Sequence, residues 1–423
     1  MIQTTQPYRP TLTQQYFSAR FVRHWMGSAI FFFWLAAIFG TLMRYYFVNE
    51  VPFLEYKHLL HAHSHVALLG WAYPLVSGAL LFLLLQHSQW LTKYRYLLGL
   101  NVVSAVGMAI FFLYQGYGLY SISFSAVHLL SAYAFAYYFL KDLAALSPRA
   151  HTRFVRWGIY WLLVSTLGLW AIGPVSALLG KLHPLYFASI QFFLHFQFNG
   201  WLTYAIVGLW LFHIERSGKS VAVSTTGFWL LQASLLLTYA LSVTWSTPLS
   251  MVFYLNTLGV LLQVVAFCLI LRPVFIAANP FKRLDDWTDI LFSFGVLCLL
   301  LKVTVQTAVA LPAVAEISYT IRNYVIGFIH LITLGAITLT AVSLLLKSGL
   351  LPRNTSARAG WLLLLAAFIL SELILFGQGT LLWLRQGFVA YYYEILFGVT
   401  ALFPISLTII LLSYIRPKPP DTS

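Results

Sequence analysis

The chain alternates long apolar runs with short polar breaks. A bilayer core takes about 20 apolar residues at 1.5 Å per residue, and such windows fall at 27–47, 59–85, 96–115, 122–140, 157–179 and 184–213. They continue at 226–246, 250–271, 288–312, 321–346, 359–380 and 391–415. The pattern predicts an all-α, polytopic membrane protein of twelve transmembrane helices. The longest break, "RPVFIAANPFKRLDDW" from Arg272, is too short for a domain. Residues 1–423 therefore read as one membrane domain, with a cytoplasmic segment at 1–26 and a cytoplasmic tail at 416–423. The first segment lacks the charged, apolar, small-residue order of a cleaved signal, so the first span is expected to remain as an anchor.

Composition agrees. The chain is 60% hydrophobic and 9% charged, with mean hydropathy +0.82, values that exclude a soluble globular protein. A net charge of +14 raises the question of nucleic acid, but its distribution answers it. With the N-terminus inside, 19 Lys and Arg fall on cytoplasmic segments. The outer side holds Arg44, Lys57, Lys181, Arg322 and Arg385, and Lys302 lies within a span. The positive-inside rule then predicts cytoplasmic termini in the cell's inner membrane, with the lipid bilayer and not nucleic acid as partner. Cys268 and Cys298 fall in spans without metal or disulfide spacing.

Polar groups inside a membrane are costly and call for partners. The stretch "HLLHAHSHVALLGW", residues 58–71, places His58, His61, His63 and His65 at the entrance of the second span. His61 and His65 are four apart and share a helical face with His58, whereas His63 points elsewhere. In the predicted topology His65 lies roughly 10 Å deep, His195 and His330 roughly 15 Å, all from the outer side. His128 on the fourth span is shallower. Gln191, His195 and Asn199 form a stripe on the sixth span; Lys302 and Gln306 on the ninth and Glu372 on the eleventh complete the intramembrane polar set.

Neutral imidazole ligates haem iron, copper and zinc. A haem between two helices needs one histidine from each at similar depth, a condition that the second span and His330 of the tenth satisfy. Gly70, Trp71, Gly327 and Gly335 suit its walls, and Arg44 suits its propionates, although an arginine there also suits snorkelling to lipid. His195, His128 and a spare member of the second-span cluster make a candidate copper or non-haem metal site, with Glu372 as ligand or proton relay. Competing readings are interhelical hydrogen bonding for His128 and a structural Lys302–Glu372 ion pair.

Twelve spans, an arginine closing the first, histidine entering the second and histidine within the tenth resemble subunit I of the haem-copper oxidase superfamily, which includes nitric oxide reductases. "HSHVALLG", with His63, His65 and Gly70, and "HLITLGAI" from His330 look most like segments of the NnrS-type haem- and copper-containing membrane proteins. The resemblance implies haem b, with copper as a second cofactor, and a role in redox or nitric oxide chemistry. It places one of His61, His63 or His65 opposite His330 as haem ligands. It leaves open an oxidoreductase activity, a diatomic ligand and an electron donor. The oxidase copper site is incomplete: the seventh span has no histidine and the tenth only one. No CxxCH motif is present, so any haem would be non-covalent. The alternative class is a twelve-helix secondary transporter without haem, for which Lys302 and Glu372 speak.

Overall fold

The structure, a computed structural model, describes residues 15–282 and 284–415; residues 1–14 of the N-terminal segment and the 416–423 tail lie outside the described residues. It is a bundle of long helices. Among the described residues eleven are long and apolar enough to cross a membrane: α1 (Ala19–Tyr45), α2 (Tyr56–Leu85), α3 (Leu91–Gln115), α4 (Leu119–Ala144) and α5 (Ala150–Leu178), then, after the sixth helix, α7 (Thr225–Thr244), α8 (Ser250–Ala277), α9 (Trp287–Ala308), α10 (Arg322–Lys347), α11 (Thr355–Trp383) and α12 (Tyr392–Tyr414). The sixth predicted span is a continuous helix, α6, over 184–216. It is not among the eleven, because Gln191, His195, Gln197 and Asn199 dilute its apolar run.

Several helices run past the predicted windows, α3 starting at Leu91, α5 at Ala150 and α8 ending at Ala277, and two boundaries have a clear local cause. The first helix begins at Ala19 and so takes in the end of the segment predicted as polar. Ser18 Oγ accepts from the Phe21 amide at 3.2 Å and satisfies one of the exposed amides of the first turn. Phe21 and Trp25 then pack edge-on against Phe82 of α2. At the other difference, α9 stops at Ala308 and not at 312. Leu311 is extended, φ −82° and ψ 122°, as a residue before proline must be, and Pro312 opens a short helix to Thr320.

The helices α2, α6 and α10 touch one another at the centre. The apolar windows of α2 and α10 are 94% and 72% buried within the protein, against 28–50% for the other nine, so the remaining helices form the lipid-facing ring. Each central helix carries the same local device. His65, His195 and His330 are each followed at once by a widened π turn, Val66–Ala72, Phe196–Leu202 and Leu331–Leu339, and each has glycine five residues on, at Gly70, Gly200 and Gly335. The glycine permits close approach: a Cβ at Gly335 would lie 2.6 Å from Cys298 Sγ on α9. π turns insert one residue into a helix and often mark functional positions. The recurrence relates the second, sixth and tenth spans, and is threefold where a transporter repeat would relate two halves.

Candidate functional site

A large cavity opens where α1 ends and α2 and α10 begin. Its volume is about 290 Å³, at the lower edge of the roughly 300–1,000 Å³ range of cofactor pockets. His63 of α2 and His330 of α10 both line it, with Arg44, Arg322 and Tyr56 also on its wall. Its apolar surfaces come from Phe33, Trp71, Phe198 and Phe403. Phe33 and Trp71 stack face to face, centroids 3.9 Å apart and planes at 2°.

His63 is oriented from behind. Its Nδ1 lies 2.9 Å from the Ala36 carbonyl oxygen, which can only accept, so Nδ1 carries the proton and Nε2 keeps its lone pair. Gly40, one turn further along α1, makes room for the ring: a Cβ there would stand 3.1 Å from His63 Cε1. The Nδ1 of His330 is buried and has no hydrogen-bond partner among the described residues. That atom lies 3.9 Å from Glu372 Oε1, and both carboxylate oxygens of Glu372 are themselves buried without a hydrogen bond. A carboxylate behind a ligating imidazole is a common way to fix its orientation. Glu372 thus stands behind His330 and outside the cavity wall.

The other sequence candidates are placed elsewhere. His65 turns to the far side of α2, stacking on Phe112 at 4.1 Å with Nε2 3.0 Å from the Tyr117 hydroxyl. His61 meets the Tyr117 ring edge-on at 4.5 Å. The shared face of His61 and His65, and the separate direction of His63, follow the helical periodicity. His128 Nδ1 lies 3.1 Å from Asn101 Nδ2 and its ring meets Tyr73 at 4.9 Å. His195 donates from Nε2 to the Leu235 carbonyl at 2.8 Å and accepts at Nδ1 from Asn199 at 3.3 Å.

Both ring nitrogens of His195 are therefore occupied. Among the described residues no three His, Cys, Asp or Glu side chains gather as a metal-binding group. His195, His128, His65 and Glu372 do not assemble the expected copper or non-haem metal site: the three rings pair separately with Leu235, Asn101 and Tyr117, and Glu372 stands against His330. The Lys302–Glu372 pair is also absent, since Lys302 Nζ donates to Gln306 Oε1 at 2.9 Å. Gly70, Gly327 and Gly335 face helix contacts, at Phe32 and Ala105, at Phe376, and at Cys298 and Phe368 respectively. Of the expected walls, only Trp71 lines the cavity.

Arg322, Gly40 and Ala36 were not singled out as site residues by sequence. Arg322 was legible in principle: it stands eight residues before His330 on one helix, about 12 Å away at 1.5 Å per residue. Gly40 and Ala36 carry no chemistry of their own and emerge only from packing.

Two imidazoles facing one apolar, aromatic-walled cavity with cations on its wall suit a flat hydrophobic macrocycle that has a central metal and an anionic edge. His63 with a free Nε2, His330 with no hydrogen-bond partner at Nδ1 among the described residues and the room left by Gly40 fit that demand.

No family model and no curated protein matches the sequence. Among solved structures the chain is similar to a haem-copper terminal oxidase, determined by cryo-electron microscopy as a dimer. The likeness has a TM-score of 0.61 and 13% identity, over 95% of this chain and 85% of that one. The fold of this chain is that of a haem-copper oxidase-like polytopic membrane protein.

Proposed function

We propose that the chain binds one haem b without covalent attachment, between His63 and His330, and serves redox or nitric oxide handling in the manner of the NnrS-type proteins. The observation that carries the reading is the meeting of these two histidines, from α2 and α10, on one apolar cavity. The fold likeness supports it. His63 and His330 would hold the haem iron, and Arg44 and Arg322 would take the carboxylates. Bound haem would supply one-electron chemistry and a site for a diatomic ligand.

The protein's part is orientation and exclusion of water. The Ala36 carbonyl holds His63 in the tautomer that presents Nε2, and the Phe33–Trp71 stack keeps one wall flat and dry. With both termini cytoplasmic, as the distribution of basic residues implies, the cavity lies toward the outer leaflet of the inner membrane. Copper is not part of the proposal, because the rings that were to hold it are engaged in hydrogen bonds and packing. The transporter reading drew on Lys302 and Glu372, neither of which lines the cavity.

The test is haem stoichiometry. Protein purified after expression with haem precursor supplied is expected to hold one b-type haem per chain by the pyridine haemochrome assay. A chain that stays free of haem under those conditions would overturn the proposal.

A further inference from the structure

A second polar site lies between α6, α7, α8 and α9, apart from the histidine cavity. A chamber of about 10 Å³ is walled by Asn199, Gln263 and Lys302, with Ser234, Tyr204 and Phe267 beside them; Thr203 and Thr238, also on the wall, donate their hydroxyls to backbone carbonyls of their own helices. Such a volume is the room one water molecule needs. Lys302, 1% exposed, makes one hydrogen bond, to Gln306, although an amine has further capacity and an ammonium three donors. Asn199 Oδ1 and Gln263 Oε1 are buried acceptors with no donor. Their amide nitrogens are already committed, Asn199 to His195 and Gln263 to Gln306 at 2.9 Å.

The shortage is specific. Two carbonyl oxygens need donors, and one amine has donor capacity left over. An anion in the chamber would face the two oxygens and a cation would face the amine, so each meets like polarity. A water molecule donates twice and accepts once, and so completes all three groups.

We propose that Asn199, Gln263 and Lys302 form an internal site for a single water molecule. The water closes a polar chain from His195 through Asn199 to Lys302, Gln306 and Gln263, joining three helices inside the membrane. It also accounts for the burial of Lys302 without a carboxylate, since buried amines require hydrogen-bonded partners. The site does not depend on haem.

X-ray radiolytic hydroxyl labelling of the purified full chain tests this, because radicals made from an internal water mark side chains that bulk solvent does not reach. Tyr204 and Phe267 are 1% and 5% exposed. At least one of them is expected to be labelled several-fold above other equally buried aromatics such as Phe154, and N199L/Q263L is expected to remove that excess while exposed Tyr114 keeps its label. Labelling of both at the level of Phe154 in the native protein would overturn the proposal without recourse to any variant. An excess that persists in N199L/Q263L would overturn it as well.

Discussion

His63 Nδ1 lies 2.9 Å from the carbonyl oxygen of Ala36, a backbone group of the neighbouring helix that no side-chain substitution removes. The contact decides which nitrogen of the imidazole carries the proton, and leaves Nε2 toward the cavity. Because α1 must lie close to α2 for this bond, the residue one turn on has to be small. Gly40→Val is expected to push the ring off this bond, since even a single Cβ would stand 3.1 Å from Cε1. Haem should then dissociate at least about tenfold faster, a change of roughly 1.4 kcal/mol. Stopped-flow transfer to a haem-free acceptor protein measures the rate, and an unchanged rate would contradict the role given to Gly40.

His61, His63 and His65 of the second span separate by face. His63→Ala and His330→Ala are each expected to lose haem or convert its spectrum to that of a single axial imidazole. His61→Ala and His65→Ala should leave the spectrum unchanged, because both rings pack on Tyr117 and Phe112. A spectrum sensitive to His65 and indifferent to His63 would move the site to the other side of α2.

His128 and His195 are expected to affect stability instead. His128→Phe deprives Asn101 of a partner, and intramembrane side-chain hydrogen bonds are worth ~0.6–2 kcal/mol. His195→Phe leaves the Leu235 carbonyl without its donor. Both variants should unfold at lower temperature in detergent while retaining native haem content. Loss of copper from either variant would contradict this.

Arg44 and Arg322 are expected to act on retention. A charge-assisted hydrogen bond is worth ~1.5–3 kcal/mol, so Arg44→Met should weaken haem affinity about ten- to a hundredfold, with Arg322→Met acting in the same direction. Equilibrium titration of haem into stripped protein reads the change, and equal affinities in wild type and R44M would assign Arg44 to lipid.

At the opposite end of the bundle, partial burial of Asp286 works against its charge. Hydrogen bonds from Thr288 and the pairing with Arg353 outweigh it and hold the carboxyl below the ordinary aspartate value of 3.8. A carboxyl with a depressed folded-state pKa stabilises the fold above its unfolded value, and that contribution is lost as pH falls through the folded value. Asp286→Asn should therefore lower thermal stability at neutral pH and converge with wild type below about pH 3.8. Parallel pH curves for the two proteins would contradict the assignment.

Much of this architecture was legible in the pattern of apolar runs, because membrane helices must satisfy their backbone internally and so announce themselves by length. The divergent directions of His63 and of the His61–His65 pair were legible from helical spacing. What the sequence could not show was which face of α2 meets α10. That choice depends on contacts such as Gly40 under His63 and Trp71 on Phe33, which join residues distant along the chain. Depth alone suggested that His128 and His195 converge with the second-span cluster. Rotation about each helix axis instead directs them to Asn101 and Leu235.

Electron paramagnetic resonance of the oxidised, purified protein tests the central claim most directly. The account predicts a low-spin ferric signal of two-imidazole ligation in the wild type, lost in both the His63→Ala and the His330→Ala protein. A haem-loaded wild type whose low-spin signal survives both substitutions would contradict it.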